Sequence, residues 1–331
     1  MKVLSLFDGI SCGRVALERA CIPVERYVAY EIDKYAVKVS EKNYPLIEHH
    51  GDVFEGDFTQ YKGFDLLIGG SPCTFWSIAK QGREVTPDGM GGKLFMQYVR
   101  ALHESGCKYF LYENNYSIHK DIKAFISEQL GVEPIMINSA LVSAQQRKRC
   151  YWTNIANVTQ PEDKGIVLKD ILEGAVSWQD KAYCMTANYY KTWDTLGSIT
   201  HDMEKHIRTR VAIPVKGVAQ RGWYVENGTE QHIEVRGKSV TLSANGGGQG
   251  AKTGLYKIDL PDGDYIIRKL TPVEAERLQT LPDNYTEGIS NSQRYKCIGN
   301  GWTVDVIAHI LSFLKGDQEW ERNGMPPCGV E

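Results

Sequence analysis

Short apolar runs that end in glycine or a polar turn recur along the first half of the chain. Val3 to Phe7 alternates as a short buried strand, Asp8-Gly9-Ile10-Ser11-Cys12-Gly13 makes a tight turn, and Val15, Ala16 and Leu17 open a helix. Tyr27 to Tyr30 predicts a second strand and a third short one precedes Gly51. Phe64 to Ile68 predicts a strand that stops at Gly69-Gly70 and throws Ser71-Pro72-Cys73 onto a turn. Tyr109 to Tyr112 runs into Glu113-Asn114, and a segment holding Gln145, Arg147 and Arg149 runs into Tyr151 and Trp152. Leu94 to Leu102 and Ile118 to Leu130 read as helices between them, so strand and helix alternate as a doubly wound sheet requires.

The rhythm breaks after Trp178, where aromatics, glycines and short apolar alternations follow without a long helix. Lys181 to Asn188 is echoed by Lys238 to Asn245, either a short internal repeat or chance likeness. Asn245-Gly246-Gly247-Gly248-Gln249-Gly250 suits a loop, as a plain linker or as backbone that approaches a DNA groove. Thr271-Pro272-Val273-Glu274 spells a capping box with proline at the first helical position, and Val273, Arg277, Leu278 and Leu281 are expected to face inward. Val304, Ile307, Ala308, Leu311 and Leu314 then fall on one face of a last helix.

Open α/β sheets place ligands at the carboxyl ends of their strands, and the candidate chemistry sits there. A cysteine after a strand is more often a buried small hydrophobe than a nucleophile, so the reading of Cys73 depends on its partners. Glu113, Arg147 and Arg149 each have a bland reading as solvated charge. Converging on one sheet edge with Cys73, they suit nucleophilic attack on an electron-poor polar ring: thiol as nucleophile, acid at a ring nitrogen, guanidinium at an exocyclic oxygen. The first turn lacks the three glycines of a dinucleotide site. Glu31, about twenty residues past it and able to bind ribose hydroxyls, and Asp52, placed for an exocyclic amine, point to an adenosine ligand without phosphates.

In their order and spelling, eight blocks resemble the DNA (cytosine-5)-methyltransferase family over nearly the whole chain outside Ser177 to Leu260. They are Phe7-Asp8-Gly9; Glu31; Asp52; Gly70-Ser71-Pro72-Cys73; Glu113-Asn114; Gln145 to Arg149; Arg268 to Pro272 with Glu276 to Gln279; and Gly299-Asn300. Phe7 to Ile10 and Gly301-Trp302 are spelled as in the animal de novo enzymes, whereas the short length looks prokaryotic or viral. The resemblance implies a class I S-adenosylmethionine-dependent methyltransferase, a Rossmann-like doubly wound sheet with a smaller, irregular, β-rich target-recognition domain. Its expected divisions are 1–176 for catalysis and cofactor, 177–260 for target recognition, and 261–331 as a segment whose last helix returns to the catalytic domain. By resemblance Cys73 adds to carbon 6 of a cytosine flipped out of double-stranded DNA. Glu113 holds ring nitrogen 3, Arg149 reaches the cytosine oxygen, and Arg147 holds adjoining backbone or the catalytic loop. Phe7, Asp8, Gly9, Ile10, Ser11, Glu31, Ile32, Asp52, Val53, Pro72, Asn300, Gly301 and Trp302 are the expected contacts of S-adenosyl-L-methionine. Thr74-Phe75-Trp76-Ser77 differs from the glutamine frequent after the cysteine, and Trp76 is expected to bear on how the flipped base or its neighbours are held.

Composition changes this picture little. The 331 residues suffice for a catalytic core and a smaller domain, and the eight cysteines show no paired metal spacing, so reduced thiols and no metal are expected. No leader or long apolar run is apparent; a cytoplasmic monomer, bacterial or in a phage-infected cell, with no membrane partner, is the expectation. Net charge is −3, unusual for a duplex binder. Asp180 to Leu260, however, holds 11 Lys/Arg against 8 Asp/Glu, a local +3 that includes Arg208, Arg210, Arg221 and Arg236 as candidates for phosphates or guanine edges. Two other readings stay open: the same chemistry on transfer RNA, and an inactive paralogue that binds DNA or stabilises a partner.

Overall fold

The computed structural model describes residues 1–77, 82–191, 201–202, 208–214, 221–226, 229–234 and 265–316. Its centre is a seven-stranded sheet: β1 (Lys2–Leu6), β2 (Arg26–Tyr30), β3 (Glu48–His50), β4 (Leu66–Gly69), β5 (Tyr109–Asn115), β6 (Ile135–Asn138) and β7 (Lys148–Thr153). The spatial order is β3-β2-β1-β4-β5-β7-β6. β1 to β5 run parallel, and β7 pairs antiparallel with both β5 and β6. This mixed sheet with helices on its faces is a class I S-adenosylmethionine-dependent methyltransferase fold, as expected. The reversal of β7 was not foreseen, and it brings the start of that strand to the edge where β5 ends.

Alternation along the strands divides the core in two. Val3, Leu66, Ile68, Tyr109, Leu111 and Tyr151 pack with α1 (Cys12–Arg19), α2 (Lys34–Asn43) and the C-terminal helix α7 (Val304–Ser312). Leu4, Leu6, Leu67, Phe110, Tyr112, Cys150 and Trp152 pack on the opposite face with α3 (Met90–Ser105) and α4 (Lys120–Leu130). The pleat continues beyond these residues. Glu113 follows Tyr109 and Leu111 at spacing two, and Arg147 and Arg149 precede Tyr151 in the same way, so all three charges belong to the face that carries α7.

A third cluster joins Ala144, Leu168, Ala182, Met185, Tyr189 and Val211 to Leu270, Leu278, Tyr295 and Ile298. It packs residues before and within the irregular segment against α5 (Pro272–Leu278) and α6 (Asn291–Asn300). Within and after that segment, β8 (Arg210–Pro214) pairs with β11 (Tyr265–Lys269), and β9 (Arg221–Glu226) with β10 (Thr229–Glu234). Lys238 to Asn245, the glycine run 245–250 and Arg236 lie outside the described residues. The segment Asn291–Lys315 is apolar and long enough to cross a membrane, yet most of it is buried and Gly301 to Thr303 interrupt its two helices.

The capping box at α5 forms: Thr271 Oγ1 accepts from Glu274 N at 3.1 Å, and the Glu274 carboxylate accepts from Thr271 N at 2.8 Å. The inward face differs from the expected one. Val273 and Arg277 are only half-buried, while Glu274 and Glu276 are fully buried. Each glutamate is saturated: Glu274 by Arg268 and the Glu173 N–H, Glu276 by Arg294, Thr286 Oγ1 and the N–H groups of Asn284 and Thr286. A buried carboxylate is tolerated only with such partners. Glu276→Ala is therefore expected to strand these donors and cost about 3–5 kcal/mol, read as a lower urea midpoint at unchanged slope.

Candidate active site

The turn after β1 is bent by three residues of positive φ, Phe7 (56°), Gly9 (61°) and Ser11 (60°). Two of them carry side chains, and such strain persists where the surroundings over-determine it. Here the surroundings are hydroxyls: Asp8 accepts from Ser5 Oγ at 2.6 Å, Tyr27 Oη at 2.7 Å and Ser11 Oγ at 2.5 Å. Burial pushes the Asp8 carboxyl above its usual range, against the pull of those donors. Glu31, just past β2, accepts from Gly9 N at 2.8 Å and from the N–H groups of Ile32 and Asp33. Burial raises its pKa too, with these N–H groups opposing the shift.

Asp52 follows β3 and accepts from Phe54 N at 3.0 Å. Ile32 and Phe54 expose 77% and 44% of their surface beside these two carboxylates in sequence, so the edge offers apolar side chains next to acceptors. Ile10 and Cys12 place their side chains in the core, and the Ile10 carbonyl accepts from Tyr285 Oη at 2.7 Å.

Past β4, Cys73 opens a single 3-10 turn, Cys73–Phe75, with Pro72 exposed before it. Ser71 Oγ meets Tyr112 Oη at 2.6 Å and Asn114 donates to the Ser71 carbonyl, which ties this turn to β5. Glu113 stands beside it with both carboxylate oxygens engaged: Arg149 Nε is 2.9 Å from Oε1, and Trp302 Nε1 donates to Oε2 at 3.0 Å. A Cβ on Gly70 would lie 2.9 Å from the Glu113 carbonyl and 3.0 Å from its Oε2, so only glycine allows this approach. Arg147 is buried and donates to the carbonyls of Met185 (2.8 Å), Gly301 (2.9 Å) and Gly299 (3.3 Å).

One sheet edge thus carries the cysteine turn, an arginine-paired carboxylate and the two acceptors of the N-terminal half. A family model for C-5 cytosine-specific DNA methylases matches residues 1–316. The chain belongs to that family. It is 28% identical over 338 residues to the type II methyltransferase M.HhaI of Haemophilus parahaemolyticus, covering 94% of this chain and 93% of the relative. To the orphan methyltransferase M.SPRI of Bacillus phage SPR it is 41% identical over 430 aligned positions, covering 95% and 97%. Its fold is similar to that of the S. pombe Dnmt2 methyltransferase, with TM-score 0.59 at 15% identity and coverage of 96% and 99%. The Entamoeba histolytica methyltransferase EhMeth gives TM-score 0.63 at 16% identity, covering 96% and 98%. The protein is thus a DNA cytosine-5 methyltransferase.

Two sequence expectations for this methyltransferase are corrected. Trp76 is fully buried in the core and lies under α3, where a Cβ on Gly91 would fall 2.4 Å from its Nε1; it does not line an open base site. Arg210 is fully buried as well, with Nη2 2.8 Å from Asp202 Oδ2, and Arg208 pairs with Oδ1 of the same aspartate at 3.1 Å. Arg210 serves a buried ion pair, so it has no access to a phosphate or guanine edge. Asn300 ends α6 exposed, and Val53 is buried. Among the described residues no group of three or more His, Cys, Asp or Glu could hold a metal ion.

Cys184 was missed in the sequence, where nothing but its place in a short repeat marked it. Its Sγ lies 3.5 Å from Arg147 Nη1 and 3.8 Å from Arg149 Nη2. Burial works to raise its pKa, but the two guanidiniums outweigh burial and hold the thiol below its ordinary value. Burial instead pushes Cys12 and Cys297 up to about 12 and Cys107 to about 11. In a Cys73→Ser background, iodoacetamide at neutral pH is expected to label Cys184 before Cys12, Cys107 and Cys297, as read by peptide mass spectrometry.

Proposed function

We propose that this methyltransferase moves a methyl group from S-adenosylmethionine to carbon 5 of a specific cytosine in double-stranded DNA, through a covalent Cys73 adduct on a base turned out of the helix. The observation that carries the reading is the Glu113 carboxylate, paired with Arg149 and packed against Gly70 on the turn that leads to Cys73. Extrusion is required because carbon 6 of a stacked, paired base is out of reach.

In this mechanism the Cys73 thiolate forms a bond to carbon 6, and electron density moves to carbon 5 as Glu113 supplies a proton or hydrogen bond at ring nitrogen 3. Arg149 reaches the exocyclic oxygen from its position on Glu113. Carbon 5 would take the methyl group with the demethylated thioether as leaving group; its proton then passes to a base or water, and the freed electron pair re-forms the C5–C6 double bond as the carbon–sulfur bond breaks and releases the Cys73 thiolate. Arg147 acts from below by holding the backbone at Met185, Gly299 and Gly301.

The residues at the N-terminal edge fit the cofactor. Glu31 and Asp52 offer acceptors suited to ribose hydroxyls and an exocyclic amine, and exposed Ile32 and Phe54 suit the faces of a purine. Phe7 to Ser11, Val53, Pro72 and the Asn300 to Trp302 loop complete the proposed lining. When bound there, S-adenosylmethionine supplies the electrophilic methyl group. Residues 177–260 are the proposed reader of the target sequence, with Arg208, Arg221 and Arg236 the arginines that remain candidates for DNA. The relatives from Haemophilus and a Bacillus phage support a bacterial or phage-infected cytoplasm as the place of action.

Cys73→Ser is expected to abolish methyl transfer while cofactor binding persists, and wild type should form a covalent complex with a fluorocytosine-containing duplex at Cys73. An adduct mapped to another residue, or an active serine variant, overturns the assignment. Glu31→Ala is expected to weaken S-adenosylmethionine binding by roughly 1–3 kcal/mol in titration calorimetry, the loss of a buried hydrogen-bonding partner. Unchanged affinity would assign the ribose to another group.

A further inference from the structure

Trp302 is expected by resemblance at the cofactor, yet its indole N–H points elsewhere. Nε1 donates to Glu113 Oε2 at 3.0 Å, across 189 residues of chain, while Arg149 Nε stands 2.9 Å from the other oxygen. The pair is built for close approach, because a Cβ on Gly70 would lie 3.0 Å from Glu113 Oε2 and 3.4 Å from Trp302 Nε1. The other end of the indole reaches α1, where a Cβ on Gly13 would meet Trp302 Cζ3 at 3.5 Å. One rigid ring therefore spans from the helix that follows the cofactor turn to the carboxylate proposed to meet the base.

The loop that carries the ring is itself held. The Gly301 carbonyl accepts from Arg147 Nη2 at 2.9 Å and Gln279 Nε2 at 3.2 Å, and Thr303 Oγ1 donates to Gln279 Oε1 at 2.9 Å. Gln279 is in turn fully buried and donates to the Ile298 carbonyl. With backbone on both sides of Trp302 anchored, the indole has little freedom to leave Glu113.

Building on the proposed function, we infer that Trp302 is a positioning residue for Glu113: its N–H and the Arg149 guanidinium clamp the two carboxylate oxygens so that the acid meets cytosine in one orientation. A carboxylate held from one side only can rotate about its last bond, and misorientation of a reacting group slows the chemical step without weakening the cofactor. The donor is the indole N–H alone, so the ring can still line the cofactor while its N–H holds Glu113, and a phenylalanine that keeps the ring isolates the clamp. It predicts a loss in kcat, where a cofactor-lining role predicts a loss in affinity.

The test is a double-mutant cycle of Trp302→Phe, which keeps a flat ring but removes the donor, with Glu113→Gln. Single-turnover methyl transfer to duplex DNA is measured at saturating cofactor, and cofactor affinity by calorimetry. Trp302→Phe is expected to slow transfer tenfold or more with cofactor affinity within threefold of wild type. In the Glu113→Gln background the same change should cost less than threefold. Equal losses in both backgrounds, or a loss explained wholly by cofactor affinity, overturn the positioning role.

A second measurement covers a Phe variant that does not fold. In 15N-labelled enzyme, Glu113→Gln is expected to shift one of the seven tryptophan indole N–H signals, and no shift in any of them overturns the hydrogen bond. This readout needs no activity. Wild type that forms the Cys73 adduct while the cycle is additive overturns the role of Trp302 alone; wild type inert with S-adenosylmethionine overturns the underlying function, and the indole signal still decides the clamp.

Discussion

The carbonyl of Gly301 is where the segment before β7 and the C-terminal helices are held together. Arg147 reaches it from just before β7 and Gln279 from just after α5, both from buried positions. Around it Gln145 donates to Gln279 and to the Leu278 carbonyl, and Ser139 donates to Thr303. In a low-dielectric interior such a network is favourable only when complete, since each orphaned group would cost about 1–3 kcal/mol. Completing it requires α5, α6 and the start of α7 to dock on the sheet. That docking delivers Trp302 to Glu113.

The active edge is consequently assembled from parts with different physical origins. The N-terminal turn is local in sequence but conformationally costly, and the Asp8 hydroxyl cluster holds Phe7 and Ser11 at positive φ. Glu113, Arg147 and Arg149 owe their common face to pleat and to the reversal of β7, which sets the start of that strand beside the end of β5. Cys184 then sits against both guanidiniums, where its thiol meets the positive charge of this edge.

Much of this was legible in the chain. The strand and helix alternation, the glycine turn, the capping box at Thr271 and the apolar face from Val304 onward are encoded within windows of a few residues, where period and cap chemistry act directly. Misreadings arose where burial was inferred from residue type. Trp76 was expected to bear on how the flipped base or its neighbours are held, and it packs in the core, where only an indirect effect is open to it; Arg210 was a candidate for DNA as a cation in a basic stretch, yet Asp202 neutralises it inside the protein. Glu274 and Glu276 were not among the residues expected to face inward, yet both are buried, because loop N–H groups and arginines from elsewhere satisfy them.

By itself the sequence determined which groups could react and the order of the elements that carry them: a thiol after one strand, a carboxylate after another, two arginines at spacing two. Only the tertiary structure decided what those groups touch. Pleat and caps are set by neighbours along the chain, whereas the partners of a buried charge are chosen by packing between distant segments. Trp302 illustrates the difference: its helix-flanking position was readable, but the 3.0 Å contact of its N–H with Glu113 exists because a network at Gly301 folds residues 189 apart onto one edge.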